Sequence, residues 1–492
     1  MRSGTPNILS RIPLAGNYPA AVVLALLALC PYLVLTTALS LMEPVIMRAL
    51  DATPFELQLT AGLSNAGYAF GAVASADLVQ RVPRRTLYLV CEVGFILSSL
   101  LVLSSTVIGQ FTAGVILEGL FTGMLLVAAL PPLITVHGVD RLPTTGAVVS
   151  LGLFGMVTIG PLVGGLVGSL GGWRELFGGL AVLAAIGLTF GVLTFESNEP
   201  PSRRAAFDWL AIPFAFGATT LPFFGVSWLT RGSFSDPIFY GPVIVGILIG
   251  IALVAAQYRK AKPLMPVRPI SNTLPVTGTA NAMLVGAAFT TLLELTEIYL
   301  RTVPQKSPVL AGGLVTSMVL GVGIAAVIFW RLLTTRWVPY LALSGLVSVA
   351  VGGAILLAVT ESNSSVIVPV SSFFLGYGAG AGVAPGLFLA AFSVPVWQIG
   401  ATFALVELLR SEAAFLIGPV LLHLAETTGS FMHGFHIAVI VTLGATVIGG
   451  LFFVGLYLLG GAHPKAPDLE PWLKGGDTAY HSPALAARIR KV

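Results

Sequence analysis

Apolar runs of about 20 residues or more, cut by short polar breaks, recur along the whole chain, and a helix needs about that length to cross a bilayer. Such runs fall near 20–47, 58–80, 86–106, 109–135, 143–169 and 174–195. Two more fall near 208–229 and 237–257, and six near 274–300, 309–333, 338–359, 365–391, 397–424 and 435–460. The pattern predicts an all-α polytopic membrane protein with fourteen spans. The breaks between runs carry charge and proline, as in Arg81-Val82-Pro83-Arg84-Arg85, the stretch from Glu196 to Arg204, and the stretch from Tyr258 to Pro263. The expected organisation is an N-terminal extension over 1–19, six spans over 20–200, two linking spans over 201–260, six more over 261–460, and a polar tail over 461–492. The run from Ala20 to Met47 is too long for the apolar region of a signal peptide, so it is expected to be the first span.

Composition narrows the class further. Hydrophobic residues make up 56% of the 492 positions and charged residues 9%, against about 25% charged in a soluble domain. The mean hydropathy is +0.93. Glycine is abundant, at 56 residues, as expected where helix backbones approach closely in a bilayer. The net charge of +4 does not indicate nucleic-acid binding, because the basic residues lie in short loops. With the N-terminus placed inside, the outer loops hold Arg48, Arg174, Arg231, Arg301 and Lys306, and Arg410 lies within a span. The other nineteen of the 25 Lys and Arg fall on the inner side. That bias is the one cytoplasmic loops show, so both termini are expected in the cytoplasm of a cell whose inner membrane holds the chain. The basic tail is expected to be a solvated terminus.

Little in the chain suggests enzymatic chemistry. Cys30 and Cys91 both sit inside apolar runs and form no disulfide framework or metal motif. His423, His433 and His436 lie toward the outer ends of the last two spans without metal-ligand spacing. No Gly-rich loop ending in Lys-Ser or Lys-Thr is present, so the chain supplies no ATPase of its own. No enzyme activity, cofactor or metal is expected. The aromatic residues Phe214, Phe216, Phe223, Phe224 and Trp228 fill the seventh span, where they are expected to pack or face lipid.

The sharpest local signal is the string Gly155…Gly160-Pro161…Gly164-Gly165, closed by Gly172-Trp173-Arg174. Small residues at this spacing let a helix approach its neighbour, and the proline distorts its backbone. The string resembles the fifth-helix motif of drug:proton antiporters of the major facilitator superfamily. Phe207-Asp208-Trp209-Leu210, Lys262-Pro263-Leu264-Met265-Pro266, Tyr299-Leu300-Arg301, the glycine-rich stretch from Gly376 to Gly382 and the stretch from Ala404 to Arg410 are similar to the fourteen-span branch of that family. The resemblance covers about residues 20–460. It implies two six-helix bundles of inverted repeats around a central cavity, with two additional helices between them. It also implies a conformational loop after the second span, matched here by Asp77, Arg81, Arg84 and Arg85. Two positions depart from the family: its first-span Asp falls on Leu35, and the fourth-span Arg on Val115, three residues before Glu118-Gly119.

Charged groups inside a bilayer are costly and are functional candidates by default. Seven acids lie in or at the edges of predicted spans: Glu43, Glu92, Glu118, Glu294, Glu297, Glu407 and Glu412. Glu118 sits at a position that the resemblance places near the cavity, and is the first candidate for a proton carrier. Glu294 and Glu297, spaced i, i+3 on one helix face, are expected to share a proton or bind a cation, or else to face an outer vestibule. Glu407 and Arg410, also i, i+3, are expected to form a buried pair, with Glu412 pointing elsewhere. Glu43 is expected to be a solvated edge residue, and Glu92 to pair with the basic loop at 81–85.

The expectation is a monomeric secondary transporter that exports a lipophilic or amphipathic small molecule by alternating access, coupled to protons. The rivals are a lipid or lipid-conjugate transporter of the same fold and a receptor that binds without transporting. The partners implied are the solute, protons and membrane lipids, with no nucleic acid.

Overall fold

The computed structural model describes Leu14 and residues 16–195, 208–463 and 465–489. Residues 1–13 of the expected N-terminal extension, with Arg2 and Arg11, the basic pair Arg203 and Arg204, Phe207, and the terminal Arg490 and Lys491 lie outside the described residues.

The described chain is helical, and twelve helices are long and apolar enough to cross a membrane. They are α1 (Tyr18–Leu50), α3 (Arg84–Leu103), α4 (Ile108–Thr135), α5 (Val139–Leu170), α6 (Trp173–Thr194) and α7 (Ala211–Thr230). The others are α8 (Pro237–Arg259), α9 (Thr273–Thr302), α10 (Pro308–Leu332), α11 (Val338–Leu356), α12 (Ser364–Ala391) and α14 (Phe431–Leu459). Two further helices, α2 (Pro54–Arg81) and α13 (Ile399–Thr427), fill the intervals between them. Both are as long as their neighbours but more polar, and α13 carries Glu407, Arg410, Glu412 and Glu426.

Helix ends follow local chemistry. Pro54 enters α2 at its first turn behind a capping box, in which Thr53 caps the Glu56 N–H and the Glu56 side chain returns to the Thr53 N–H at 2.8 Å. Asp51 leaves α1 in the left-handed conformation at φ 50°.

The helices α1 to α6 pack as one bundle and α9 to α14 as another. The bundles meet along two seams, α5 against α10 and α12, and α2 and α4 against α13. Between them in sequence, α7 lies on α2 while α8 packs mainly on α7, leaving most of its surface outward. Phe223 in α7 is buried against Gly62, and Phe216 is exposed, so packing and outward-facing roles divide the aromatic residues of this helix.

Two of the sequence motifs meet at one end of α7 and α8. Asp208 accepts from Lys260 Nζ at 2.5 Å and from Gln257 Nε2 at 2.9 Å. Gln257 Oε1 in turn accepts the backbone N–H groups of Leu264 and Met265. Burial works upward on the Asp208 carboxyl, but the bonds from Lys260, Gln257 and the Ala211 N–H outweigh it and hold its pKa below the usual range.

The tail is not the solvated terminus its polarity suggests. Trp472 is wholly buried, with Nε1–H donating to Val394 O at 2.8 Å and its ring edge-on to Phe392. The Tyr480 N–H donates to Phe392 O, and the Thr273 N–H to Pro483 O. The short helix Leu469–Leu473 also touches residues 139–141 at the start of α5, so the tail reaches both bundles. Three apolar side chains, Leu469, Trp472 and Tyr480, anchor it, and they are spaced too irregularly to announce a helix or a strand.

Candidate functional site: an acid-lined cleft between the bundles

The α5 motif makes close helix contacts beside the cleft. A side chain at Gly160, Gly164 or Gly168 would run into the backbone or side chains of α1 at Val34, Thr37, Ala38 and Leu41. Gly165 faces the Pro308 carbonyl of α10, and Gly312 of α10 faces the Pro161 carbonyl, so the two bundles touch backbone to backbone here. Pro161 has no N–H to give the carbonyl four residues earlier, at Val157. That carbonyl accepts instead from the Thr37 hydroxyl of α1 at 2.7 Å. Gly155 makes only local contacts, with Leu151. Just before it, residues 150–154 widen into a π-helical turn, and Ser150 Oγ donates to Gly380 O of α12.

Beside this seam lies a cleft of about 100 Å³ formed by α1, α2, α9 and α13. Its lining includes Thr36, Ser40, Glu43, Gln58, Asn65, Thr290, Glu294, Glu297 and Phe415. Three of the sequence candidates, Glu43, Glu294 and Glu297, therefore share one cavity. Glu297 is 2% exposed; its Oε2 accepts from Ser40 Oγ at 2.5 Å across the bundles, while its Oε1 has no hydrogen-bond partner among the described residues. Arg301, one turn beyond, donates to Ser40 O at 3.3 Å and is the opposite charge felt by both Glu43 and Glu297. Glu294 lies against Gly418 of α13, where a larger residue would displace it. Glu43 is half-buried in this cleft rather than at a solvated edge.

A second polar group adjoins the cleft through Asn65. Tyr32 donates to Asn65 Oδ1 at 3.3 Å and pairs with Ser64 at 2.8 Å, and its ring stacks on Tyr68. The Tyr68 hydroxyl donates to Glu407 Oε2 at 3.3 Å, again across the bundles. Arg410 closes on the same carboxylate at 2.5 Å, so the expected i, i+3 pair forms. Sequence reading missed the tyrosines, because Tyr32 and Tyr68 lie in separate helices without a shared motif. Glu412 is half-buried with Oε1 lacking a hydrogen-bond partner among the described residues, and it does not line the cleft.

Glu118 faces away from the cleft. Gly119 and Gly123 bring α4 onto the α2 backbone at Ser64 and Tyr68. Glu118, next to Gly119, points to α3, where Ser99 donates to its Oε1, and it is wholly buried. Glu92 pairs with Tyr88, one turn earlier, at 2.6 Å, and not with the basic loop. In that loop Arg81 holds Asp77 at 2.7 and 2.8 Å, and Arg85 donates to Val192 O at the end of α6. Among the described residues no group of three or more His, Cys, Asp or Glu is placed to hold a metal ion.

Comparison with known proteins places this architecture. The chain is 28% identical over 417 residues to "Uncharacterized MFS-type transporter YubD" of Bacillus subtilis, covering 80% of this chain and 78% of that protein. It is 25% identical over 337 residues to "Multidrug resistance protein B homolog" of Mycobacterium tuberculosis, covering 68% and 61%. It is 23% identical over 301 residues to "Tetracenomycin C resistance and export protein" of Streptomyces glaucescens, covering 60% and 56%. Among solved structures, a POT family transporter in complex with a thioalcohol-conjugated peptide superposes with a TM-score of 0.66 at 14% identity, covering 91% of this chain and 99% of that one. A peptide transporter POT in complex with sulfate gives 0.65 at 17% identity, covering 91% and 97%. At such identity these two likenesses speak for the fold alone. The sequence profile of the Major Facilitator Superfamily matches residues 24–419. The chain belongs to that superfamily and is a multi-pass membrane transporter, not an enzyme.

Proposed function

We propose that this protein exports a lipophilic or amphipathic small molecule carrying positive charge, in exchange for protons, by alternating access of the interbundle cleft. The observation that carries the reading is the Ser40–Glu297 hydrogen bond, which joins α1 to α9 inside a cavity lined by two further acids. A proton and a cationic solute compete for such a site, and each changes the contact between the bundles. Coupling requires that they bind the inward-open and outward-open arrangements with different affinity. Relatives named for multidrug resistance and for tetracenomycin C export support the export direction.

In this reading α2 and α13 also span the bilayer, giving fourteen spans with both termini in the cytoplasm of the inner-membrane cell. Their polarity is the polarity of the cleft they line. Glu297, with Glu294 and Glu43, exchanges the proton. Glu407 and Arg410, reached by Tyr68, hold the bundles in register, and Glu118 serves the α3–α4 seam. Asp77, Arg81, Arg84 and Arg85 brace the inner ends of α2 and α3, and the monomer is the working unit. A cleft lined with acids favours a basic amphiphile over a neutral lipid as the transported solute.

The test is transport by the full chain in proteoliposomes under an imposed pH gradient, with a lipophilic cationic dye beside a labelled neutral lipid. Gradient-driven movement of the dye and not the lipid is expected. Movement of the lipid alone would overturn the reading in favour of lipid transport. Binding of dye with no movement of either would leave a receptor.

A further inference from the structure

A second cavity lies on the outer flank of the C-terminal bundle, and the transport reading makes no use of it. It is an apolar groove of about 210 Å³; by comparison, an apolar cavity of about 150 Å³ takes up benzene and stays free of water. The groove runs between the first turns of α9 and α11 and the last turns of α12 and α14, with Leu343, Leu389, Phe453 and Val454 among its walls. Its polar lining is sparse: Asn281 Nδ2 donates to Ala342 O at 3.0 Å, and the Tyr457 hydroxyl is buried without a hydrogen-bond partner among the described residues. No residue of the N-terminal bundle lines the groove. Rocking of one bundle against the other therefore does not expose it to the two sides in turn, as a transported solute would require.

The mouth of the groove carries the marks of a membrane interface. Tyr340, one of its lining residues, is 47% exposed, and its ring lies 5.3 Å from that of Trp337, also 47% exposed. Arg336 sits over the Trp337 ring at 5.3 Å. Among the described residues Arg336 has no ion-pair partner. Amphipathic rings settle at headgroup depth, and a neighbouring free guanidinium attracts anionic headgroups. Apolar walls below and an unpaired cation above are complementary to an acidic amphiphile.

We propose that this groove holds an acyl chain of an anionic phospholipid, with the phosphate set against Arg336. The site is a resident lipid site and not a transport path, and it stands whether or not the cleft exports a cation.

The experiment is native mass spectrometry of the purified full chain after exchange with vesicles of phosphatidylglycerol or of phosphatidylcholine. The wild-type chain is expected to keep phosphatidylglycerol about fivefold better, the ratio that about 1 kcal/mol per interfacial Arg implies. Arg336→Gln removes that preference and leaves a weak adduct with either lipid. Val454→Trp fills the groove and removes both adducts. Leu343→Trp, at a position 37% exposed, fills it from the mouth and serves if the first variant does not fold. Equal retention of the two lipids by the wild-type chain would overturn the proposal. So would adducts unchanged in a folded Trp variant. Loss of dye transport in that variant with its lipid adducts intact would make the groove part of the solute's path, and would overturn it as well.

Discussion

Thr37 illustrates how single side chains sustain this fold in a solvent without water. Its hydroxyl takes the place of the N–H that Pro161 lacks, so a residue of α1 completes the ladder of α5. Interhelical hydrogen bonds of this kind average about 0.6 kcal/mol in membranes, with an upper range near 1.7. Thr37→Val keeps the shape and leaves the Val157 carbonyl bare, and is expected to destabilise the protein by ~1 kcal/mol. A thermal-unfolding midpoint unchanged from wild type would contradict that account. Among the acids, position along a helix was legible in the sequence but direction was not. Glu294 and Glu297 were read as sharing one face, and they share one cavity. The resemblance puts Glu118 near a central cavity, and its side chain meets Ser99 of α3. The difference comes from Gly119 and Gly123, whose bare backbones turn that face of α4 onto α2 and rotate the neighbouring Glu118 toward α3.

At the scale of elements, the linking helices and the tail make separable predictions. Asp208 and Lys260 pin α7 to α8, and Gln257 carries the same tie to residues 264 and 265. Asp208→Asn is expected to cost about 1 kcal/mol, because Lys260 is partly exposed and screened. The folded pKa of Asp208 lies below its ordinary value. The tie is therefore fully present above about pH 4, and is lost as pH falls through the lowered folded value. Hydrogen exchange in residues 208–211 and 257–265 should rise in Asp208→Asn at neutral pH, and in wild type only in acid. Equal protection in the two proteins at neutral pH would remove the tie from the account. The sequence motifs at 207–210 and 262–266 announced something at these positions. Gln257, which connects them, gave no signal, because a lone Gln near a helix end has no pattern.

The tail was misread for a related reason. Its composition is polar, and the anchors Leu469, Trp472 and Tyr480 are too sparse to form a run, yet each is nearly or wholly buried. Trp472→Ala removes the indole from Phe392 and its bond to Val394, a loss of about 3–5 kcal/mol for a buried Trp. The amide of Tyr480, bonded to Phe392 O, is then expected to lose its protection from exchange. Retained protection there would mean that the backbone bonds alone hold the tail.

For the whole molecule, twelve of the long helices are apolar enough for hydropathy to mark them as spans, and the α5 glycines announced a close helix contact, which is made to α1 and, at Gly165, to α10. What the sequence could not express is which acids converge, since Glu43, Glu294 and Glu297 come from helices more than 200 residues apart in the chain. The account centres on Glu297 as the group that links proton exchange to the bundle interface. The most direct measurement is pH-gradient-driven dye transport in proteoliposomes by the wild-type chain, Glu297→Gln and Glu118→Gln, at matched protein levels. Glu297→Gln is expected to lose the gradient-driven component by about 100-fold or more, within the range removal of a proton-transfer group produces. Glu118→Gln is expected to keep it. Loss in Glu118→Gln with retention in Glu297→Gln would contradict the account and return coupling to the interior of the N-terminal bundle.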